Sequence, residues 1–274
     1  MATAAVNYPF AAIPGIGRAL TEKDLLLSNE MYNGLTPIEK QVRLQGSHDD
    51  HINALLAIIK GHGMDSVFGV HSLHCHDRVP EKTIRLEADA TGVEGMKWTR
   101  ATPIIDALLA QDKIHATFYK VEANDLVPFE FGAGPSPLKE REIPAQFIPD
   151  MAQYLCEHDL TNLIAIEVGD FTKAPSERPK RTSELEVVWG TIEKLTVVLS
   201  YDKMVEGVSN PVPTGWNIQD QDPEESGPGP GEHWNEATKS DGTKTHKVHV
   251  DSVEPVTPQL LHTALVDQGF IKVL

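Results

Sequence analysis

The clearest pattern of apolar positions lies in residues 47–63. Apolar residues recur there at intervals of three or four, on one face of an α-helix; they are Ile52, Leu55, Leu56 and Ile59. Asp49 and Asp50 fall in the first turn, where the helix dipole favours negative charge. Gly61 and Gly63 follow, and glycine commonly ends a helix. The pattern predicts an amphipathic helix that starts at Ser47 and ends near Gly61.

Other segments alternate between apolar and polar residues, or are short apolar runs rich in β-branched side chains, as is typical of strands. Strands are predicted for residues 66–76, 83–87, 114–122, 163–168, 184–189, 195–201 and 244–250. Three Thr-Pro pairs predict helix starts, because threonine caps a helix and proline fits its first position. These pairs are Thr36-Pro37, Thr102-Pro103 and Thr257-Pro258, and a further helix is predicted for residues 144–156.

The order of these elements favours an α+β fold. The alternation is not strictly βαβ and several predicted strands follow one another directly, so we expect a largely antiparallel mixed sheet packed by a few helices. Residues 1–34 contain several Pro and Gly residues and are predicted to form an N-terminal arm. Residues 35–274 are predicted to be a single domain, with a long mobile loop near 210–232 where Pro, Gly, Asp and Glu accumulate.

The charge of the chain limits the classes of binding partner that we expect. The 274 residues carry 40 acidic and 24 basic side chains, a formal net charge of −16. Nucleic acids and anionic membranes bind through Lys and Arg, so neither is an expected partner. A small-molecule substrate is expected, and a homo-oligomer is left open. The sequence has two cysteines, Cys75 and Cys156, and neither a signal peptide nor an apolar run long enough to span a membrane, which predicts a cytoplasmic protein.

Residues 70–77 contain three histidines, His71, His74 and His76, followed by Asp77. In a continuous strand, His74 and His76 share one face and His71 lies on the other. Two histidines at i and i+2 can bind a metal or act as an acid/base pair, and Asp77 could orient either ring. The alternative is that they are polar residues on a solvated strand face.

A metal at this segment needs a third ligand, because zinc usually has three or four protein ligands. The sequence offers His115, Glu130 or Glu167 for this role. His115 and Tyr119 also fall on one face of the predicted strand 114–122. They are candidates for acid and base in a pocket, or else half-buried sheet positions.

Glu130 lies between two aromatic residues, where burial would raise the pKa of its carboxyl group. Exposure is the alternative for this side chain. Its place between the two aromatic residues makes it a further candidate catalytic residue.

The histidine segment resembles a G-x-x-L-H-x-H segment of uncharacterised fungal proteins, apart from one additional residue between Gly69 and Leu73. In those proteins a P-[FY]-E-[FY] segment follows, which corresponds here to Pro128-Phe129-Glu130-Phe131. The resemblance covers short islands over about half of the chain. It implies a fungal origin and specialised metabolism, and it implies no established activity.

Three functional hypotheses follow. The first is a cofactor-independent enzyme of fungal specialised metabolism, a cyclase, isomerase or lyase acting on a small apolar organic substrate in an enclosed pocket. Its candidate catalytic residues are His71, His74, His76, His115, Tyr119 and Glu130. The second is a metal-dependent hydrolase or oxygenase that uses His74 and His76. The third is a ligand-binding or interaction module without catalysis. No cofactor is expected under the first hypothesis, and a divalent metal is the alternative.

Overall fold

The computed structural model describes residues 12–44, 46–110, 113–122, 125–172, 182–191, 193–200, 203–205, 209–218, 230–238, 244–245 and 247–272. The helices in these ranges are α1 (Glu22–Gly34), α2 (Asp49–Gly61), α3 (Ile104–Leu109), α4 (Phe147–Glu157) and α5 (Pro258–Asp267). The strands are β1 (Phe68–Ser72), β2 (Thr83–Asp89), β3 (Met96–Pro103), β4 (Ile114–Glu122), β5 (Asp125–Ala133), β6 (Ile164–Val168), β7 (Thr182–Trp189), β8 (Glu193–Ser200), β9 (Ser209–Trp216), β10 (Pro230–Thr238), β11 (Lys244–Thr245) and β12 (Lys247–Val250). None of the helices in the described ranges is long and apolar enough to cross a membrane.

The strands form one mixed sheet in the order β11-β10-β9-β1-β6-β4-β5-β2-β3-β8-β7-β12. Most neighbours are antiparallel, and the parallel pairs among the described residues are β2–β5, β7–β10 and β7–β12. The pairing of β10 with β7 joins the two ends of the sheet, so that the strands from β10 round to β7 close on themselves. The predicted α+β fold with a largely antiparallel mixed sheet is therefore confirmed.

Alternation along the strands separates an apolar outer face from a polar inner face. On β7, Leu185 and Val187 pack outward in a cluster that includes Leu261 of α5. Glu184 and Glu186 lie on the opposite, inner face of the same strand and are buried. The closed sheet therefore has its hydrophobic cores outside, beneath the helices, and its polar residues inside.

Helices α1, α2 and α4 cover a second part of the outer face. The stripe predicted on α2 is buried as expected, with Ile52, Leu55 and Ile59 at 0% exposure. Phe147 of α4 lies against Phe68 of β1, with 4.7 Å between the ring centroids. This packing fixes the position of β1, the strand that leads into the histidine segment.

Two predicted boundaries differ from the structure. Residues 12–34 of the predicted arm belong to the folded body, because α1 packs on the sheet and buries Leu25 and Tyr32. The predicted loop at 210–232 is replaced at both ends by β9 and β10. Its central residues 219–229, and residues 1–11 of the arm, lie outside the described residues.

Helix α1 begins with a capping box in which the Asp24 carboxylate accepts from the Thr21 N–H at 2.9 Å and the Thr21 hydroxyl accepts from the Asp24 N–H. Arg18 donates two hydrogen bonds of 2.6 Å to the same carboxylate. Burial raises the pKa of Asp24, but the bonds from Arg18 and Thr21 outweigh it and lower the pKa to about 2. The ionised carboxylate therefore stabilises the folded state.

We expect Asp24→Asn to destabilise the protein by about 1–2 kcal/mol at pH 7, through loss of the cap and the ion pair. Because the pKa in the folded state lies below the ordinary 3.8, this stabilisation is complete above about pH 4 and is lost as the pH falls toward 2. Urea unfolding of both proteins at pH 7 and near pH 2.5 measures the difference. An equal difference at the two pH values would contradict the ion-pair explanation.

Candidate functional site

The three histidines come together where the chain leaves the sheet. Strand β1 ends at Ser72, whereas the predicted strand continued to residue 76. His71 and His74 have ring centroids 5.2 Å apart, and those of His74 and His76 are 4.9 Å apart. The prediction that His71 lies on the opposite side from the other two is wrong, because period-two alternation holds only while the strand continues.

Backbone bonds to an earlier segment turn the chain after Ser72. The Cys75 N–H donates to the Thr36 carbonyl, and the Ile38 N–H donates to the Cys75 carbonyl. The His76 N–H donates to the buried Tyr32 hydroxyl at 3.0 Å. Residues 36–38 were predicted to start a helix, and they lead into a short 3-10 helix, Ile38–Lys40. The histidine segment is therefore held in place by bonds to residues 32–38, which lie much earlier in the chain.

The hydrogen bonds of the rings define which nitrogen carries a hydrogen. The Ser72 carbonyl, which can only accept, takes bonds from His71 Nδ1 at 2.9 Å and His74 Nδ1 at 2.7 Å. His76 Nδ1 lies 3.0 Å from Glu186 Oε1. Nδ1 is therefore the protonated nitrogen in these rings, and in a neutral ring Nε2 keeps its lone pair. Burial lowers the pKa of His74 well below its ordinary value, which keeps this ring neutral.

Glu184 completes a compact group with two of the histidines. One ligand atom from each of His74, His76 and Glu184 lies within 4.8 Å of the other two, and all three residues are buried. His76 Nε2 is 3.7 Å from Glu184 Oε2. Two imidazoles and one carboxylate are a donor set that first-row transition metals use in proteins. The ligands suggested by the sequence, His115, Glu130 and Glu167, are not in this group.

Glu186 takes the orienting role that the sequence suggested for Asp77. Asp77 instead pairs with Lys247 at 2.7 Å and Lys194 at 3.0 Å. Burial raises the pKa of Asp77, but these two lysines outweigh it and lower the pKa. Lys247 also lies 3.6 Å from Glu186 Oε2. These ion pairs of Lys194 and Lys247 hold the histidine segment against β7, β8 and β12.

A buried guanidinium lies among the carboxylates. Arg85 on β2 is 2% exposed and donates from Nη2 to the Thr196 hydroxyl at 2.8 Å. Burial by itself lowers the pKa of Arg85, but the surrounding groups raise it above the ordinary value; they are Tyr32, Glu130, Glu184 and Glu186. Arg85 is therefore cationic and balances part of the negative charge.

The closed sheet contains a cavity of about 570 Å³ that is open to solvent on part of its boundary. Most of its titratable lining groups in the described residues are acidic, namely Glu87, Asp89, Glu130, Glu167, Asp170 and Glu184. Lys97 also lines it and pairs with Glu87 at 2.7 Å. Phe118 lines the cavity as well, and its ring centroid is 4.4 Å from that of His71. Glu184 and Phe118 thus connect the cavity to the histidine cluster behind its wall.

His115 and Tyr119 do not form the predicted pair. His115 lines the cavity, and burial lowers its pKa. Tyr119 is fully buried in the outer core, where its hydroxyl donates to the Pro14 carbonyl at 3.0 Å. A register irregularity between Ala116 and Phe118 adds one residue to β4, which moves the two side chains to opposite faces.

Glu130 faces the cavity, as a catalytic carboxylate would. It is half-buried on β5, and its register partners are Arg85 on β2 and Phe118 on β4. The sequence anticipated its aromatic neighbourhood but not the arginine.

The comparisons with known proteins add no assignment: no protein-family model matches the chain, and no curated protein or solved structure shows significant similarity to it.

Proposed function

We propose that this protein is an enzyme that converts a small organic molecule inside the closed sheet by proton transfer, as isomerases, lyases and cyclases do. The observation that carries the proposal is that Glu130 and Glu184 line one cavity, and that Glu184 also belongs to a buried group with His74 and His76. A large cavity with buried titratable groups in or beside its lining is a general feature of catalytic sites. Specialised metabolism is the proposed setting, from the resemblance of the histidine segment, and the free cysteines fit a cytoplasmic enzyme.

We assign the general base to Glu130. Its carboxylate faces the cavity and lies beside the cationic Arg85. In the proposed step Glu130 takes a proton from a substrate carbon, the electron pair moves into an adjacent carbonyl group, and the proton returns to another atom of the substrate. Arg85 offsets part of the negative charge of the carboxylates around Glu130. No co-reactant is consumed.

The acidic wall favours a ligand with hydrogen-bond donors or a positive charge over the apolar substrate expected from the sequence. Lys97 is already paired with Glu87, and the lowered pKa of His115 keeps that ring neutral near pH 7. The wall therefore contains more acceptors than donors. Phe118 and Phe171 supply apolar surface for the carbon skeleton.

Deuterium incorporation tests the proposal without a known product. A panel of small keto, hydroxy and amino compounds is screened by ligand-induced thermal shift, and binders are incubated with the protein in D₂O. We expect the wild type to exchange a carbon-bound hydrogen for deuterium, and Glu130→Gln to slow this exchange by about 100-fold or more. Glu122→Gln, the same change on β4 away from the cavity, should leave the rate unchanged. Binding without exchange or turnover would favour the non-catalytic ligand-binding module instead.

A further inference from the structure

We propose that His74, His76 and Glu184 bind one divalent transition-metal ion next to the cavity that Glu184 lines. The inference goes beyond the proposed function and does not rest on it, because metal binding is measured without a substrate. A metal held by His74 and His76 was the second hypothesis from the sequence, and Glu184 is the third ligand that the sequence did not identify.

The two imidazoles make the hydrogen bonds that are usual for metal-binding histidines. His74 Nδ1 donates to the Ser72 carbonyl and His76 Nδ1 to the Glu186 carboxylate, at 2.7 and 3.0 Å. Histidines that bind metals almost always donate their other ring N–H to a carbonyl or carboxylate. In the neutral form of each ring, the same bonds leave Nε2 as the atom that offers a lone pair. His76 Nε2 lies 3.7 Å from Glu184 Oε2, so this ring is oriented toward the third ligand before any ion arrives.

The distances between the ligand atoms are close to those between donors on one metal ion. Two donors that are each about 2.1 Å from one ion, at angles of roughly 90–110°, lie about 3.0–3.4 Å apart. The His76 Nε2 to Glu184 Oε2 distance is 3.7 Å, and all three ligand atoms lie within 4.8 Å of one another. A distance of 3.7 Å is too long for a hydrogen bond. The 3.7 Å pair reaches metal-binding distance by a movement of a few tenths of an ångström, and a separation at the 4.8 Å limit would need a movement of about 1.4 Å.

The balance of charges around the cluster also favours a bound cation. Carboxylates around the cluster outnumber basic groups: Glu130, Glu184, Glu186 and Asp77 face Arg85, Lys194 and Lys247. Glu184 and Glu186 are at most 8% exposed. Buried carboxylates are costly unless cations compensate them. A divalent cation between His74, His76 and Glu184 would supply that compensation.

The donor set limits the metal and its chemistry. Two histidines and one glutamate bind Zn²⁺ in hydrolases, and two histidines with a carboxylate bind Fe²⁺ in oxygenases. Three protein ligands leave coordination positions open for water or substrate. Glu184 is the ligand that also lines the cavity, so an ion bound here would lie next to it. A bound ion would supply Lewis-acid polarisation of a substrate oxygen near the Glu130 base.

The test measures metal binding by metal-free protein. After treatment with chelator and dialysis, the protein is titrated with Zn²⁺ by calorimetry and with Co²⁺ by visible absorption spectroscopy. We expect one equivalent of each metal and Co²⁺ ligand-field bands from a site with nitrogen ligands. His76→Gln and Glu184→Gln should each weaken binding about 100-fold or more, and Glu186→Gln about tenfold, because it alters only the group behind His76.

A surface cluster provides the matched control. The rings of His51 and His158 lie 4.9 Å apart on the surface and could hold a metal adventitiously. The double variant His51→Gln/His158→Gln should keep the stoichiometry and the Co²⁺ spectrum. Loss of binding in this variant, or wild-type affinity in a folded Glu184→Gln variant, would overturn the proposal. Absence of metal binding with deuterium exchange intact would reject the metal and leave the proposed function standing.

Discussion

Replacing Arg85 with leucine should destabilise the metal-free protein by about 3–5 kcal/mol, because removing a buried cation leaves the carboxylates around it uncompensated. Arg85 is 2% exposed and lies among Glu130, Glu184 and Glu186. Its hydrogen bond to the Thr196 hydroxyl would also be lost. Chemical denaturation in the presence of EDTA measures the effect.

Two further variants separate charge from packing at this position. Arg85→Lys keeps a positive charge and should cost less than Arg85→Leu. Adding Glu130→Gln to Arg85→Leu should recover part of the loss, since one of the uncompensated carboxylates is then neutral. If Arg85→Leu is as stable as the wild type, the guanidinium does not compensate these carboxylates and the charge argument for the site fails.

Phe147→Ala is expected to have a similarly large effect, about 3–5 kcal/mol, because it creates a cavity between α4 and β1. Phe147 is fully buried and its ring contacts those of Phe68 and His62. Phe147→Leu retains most of the volume and should cost less than about 1.5 kcal/mol. Thermal and urea unfolding measure both. A loss below about 1 kcal/mol for the alanine variant would mean that α4 does not hold β1 in place.

The sequence predicted most of the local structure because local patterns determine it. The apolar stripe of α2, the alternation of β2 and the Thr257 cap of α5 each depend on neighbours within a few residues. The closure of the sheet was not predictable in this way. It depends on pairing of β10 with β7, and both partners are specified only by the shape of the whole sheet.

The site was predicted in part for the same reason. The histidine segment was identified from its own composition, but its arrangement depends on the turn after Ser72, which bonds to residues 36–38 impose. Glu184 and Glu186 were placed on a strand, but nothing in the sequence identified His76 as their neighbour. An alternating pair of glutamates inside an otherwise apolar strand was the one available hint, because such residues must face a polar interior.

The protonation pattern of the buried histidines at neutral pH tests the candidate site most directly. Long-range ¹H–¹⁵N correlation spectra of the metal-free protein distinguish protonated from unprotonated ring nitrogens, and His→Gln variants assign each signal. We predict that both rings carry hydrogen on Nδ1, that His74 presents an unprotonated Nε2, and that the Nε2 signals of both rings shift when Zn²⁺ is added. Hydrogen on Nε2 of either ring, with Nδ1 unprotonated, would contradict the orientation from which the site and its metal are inferred.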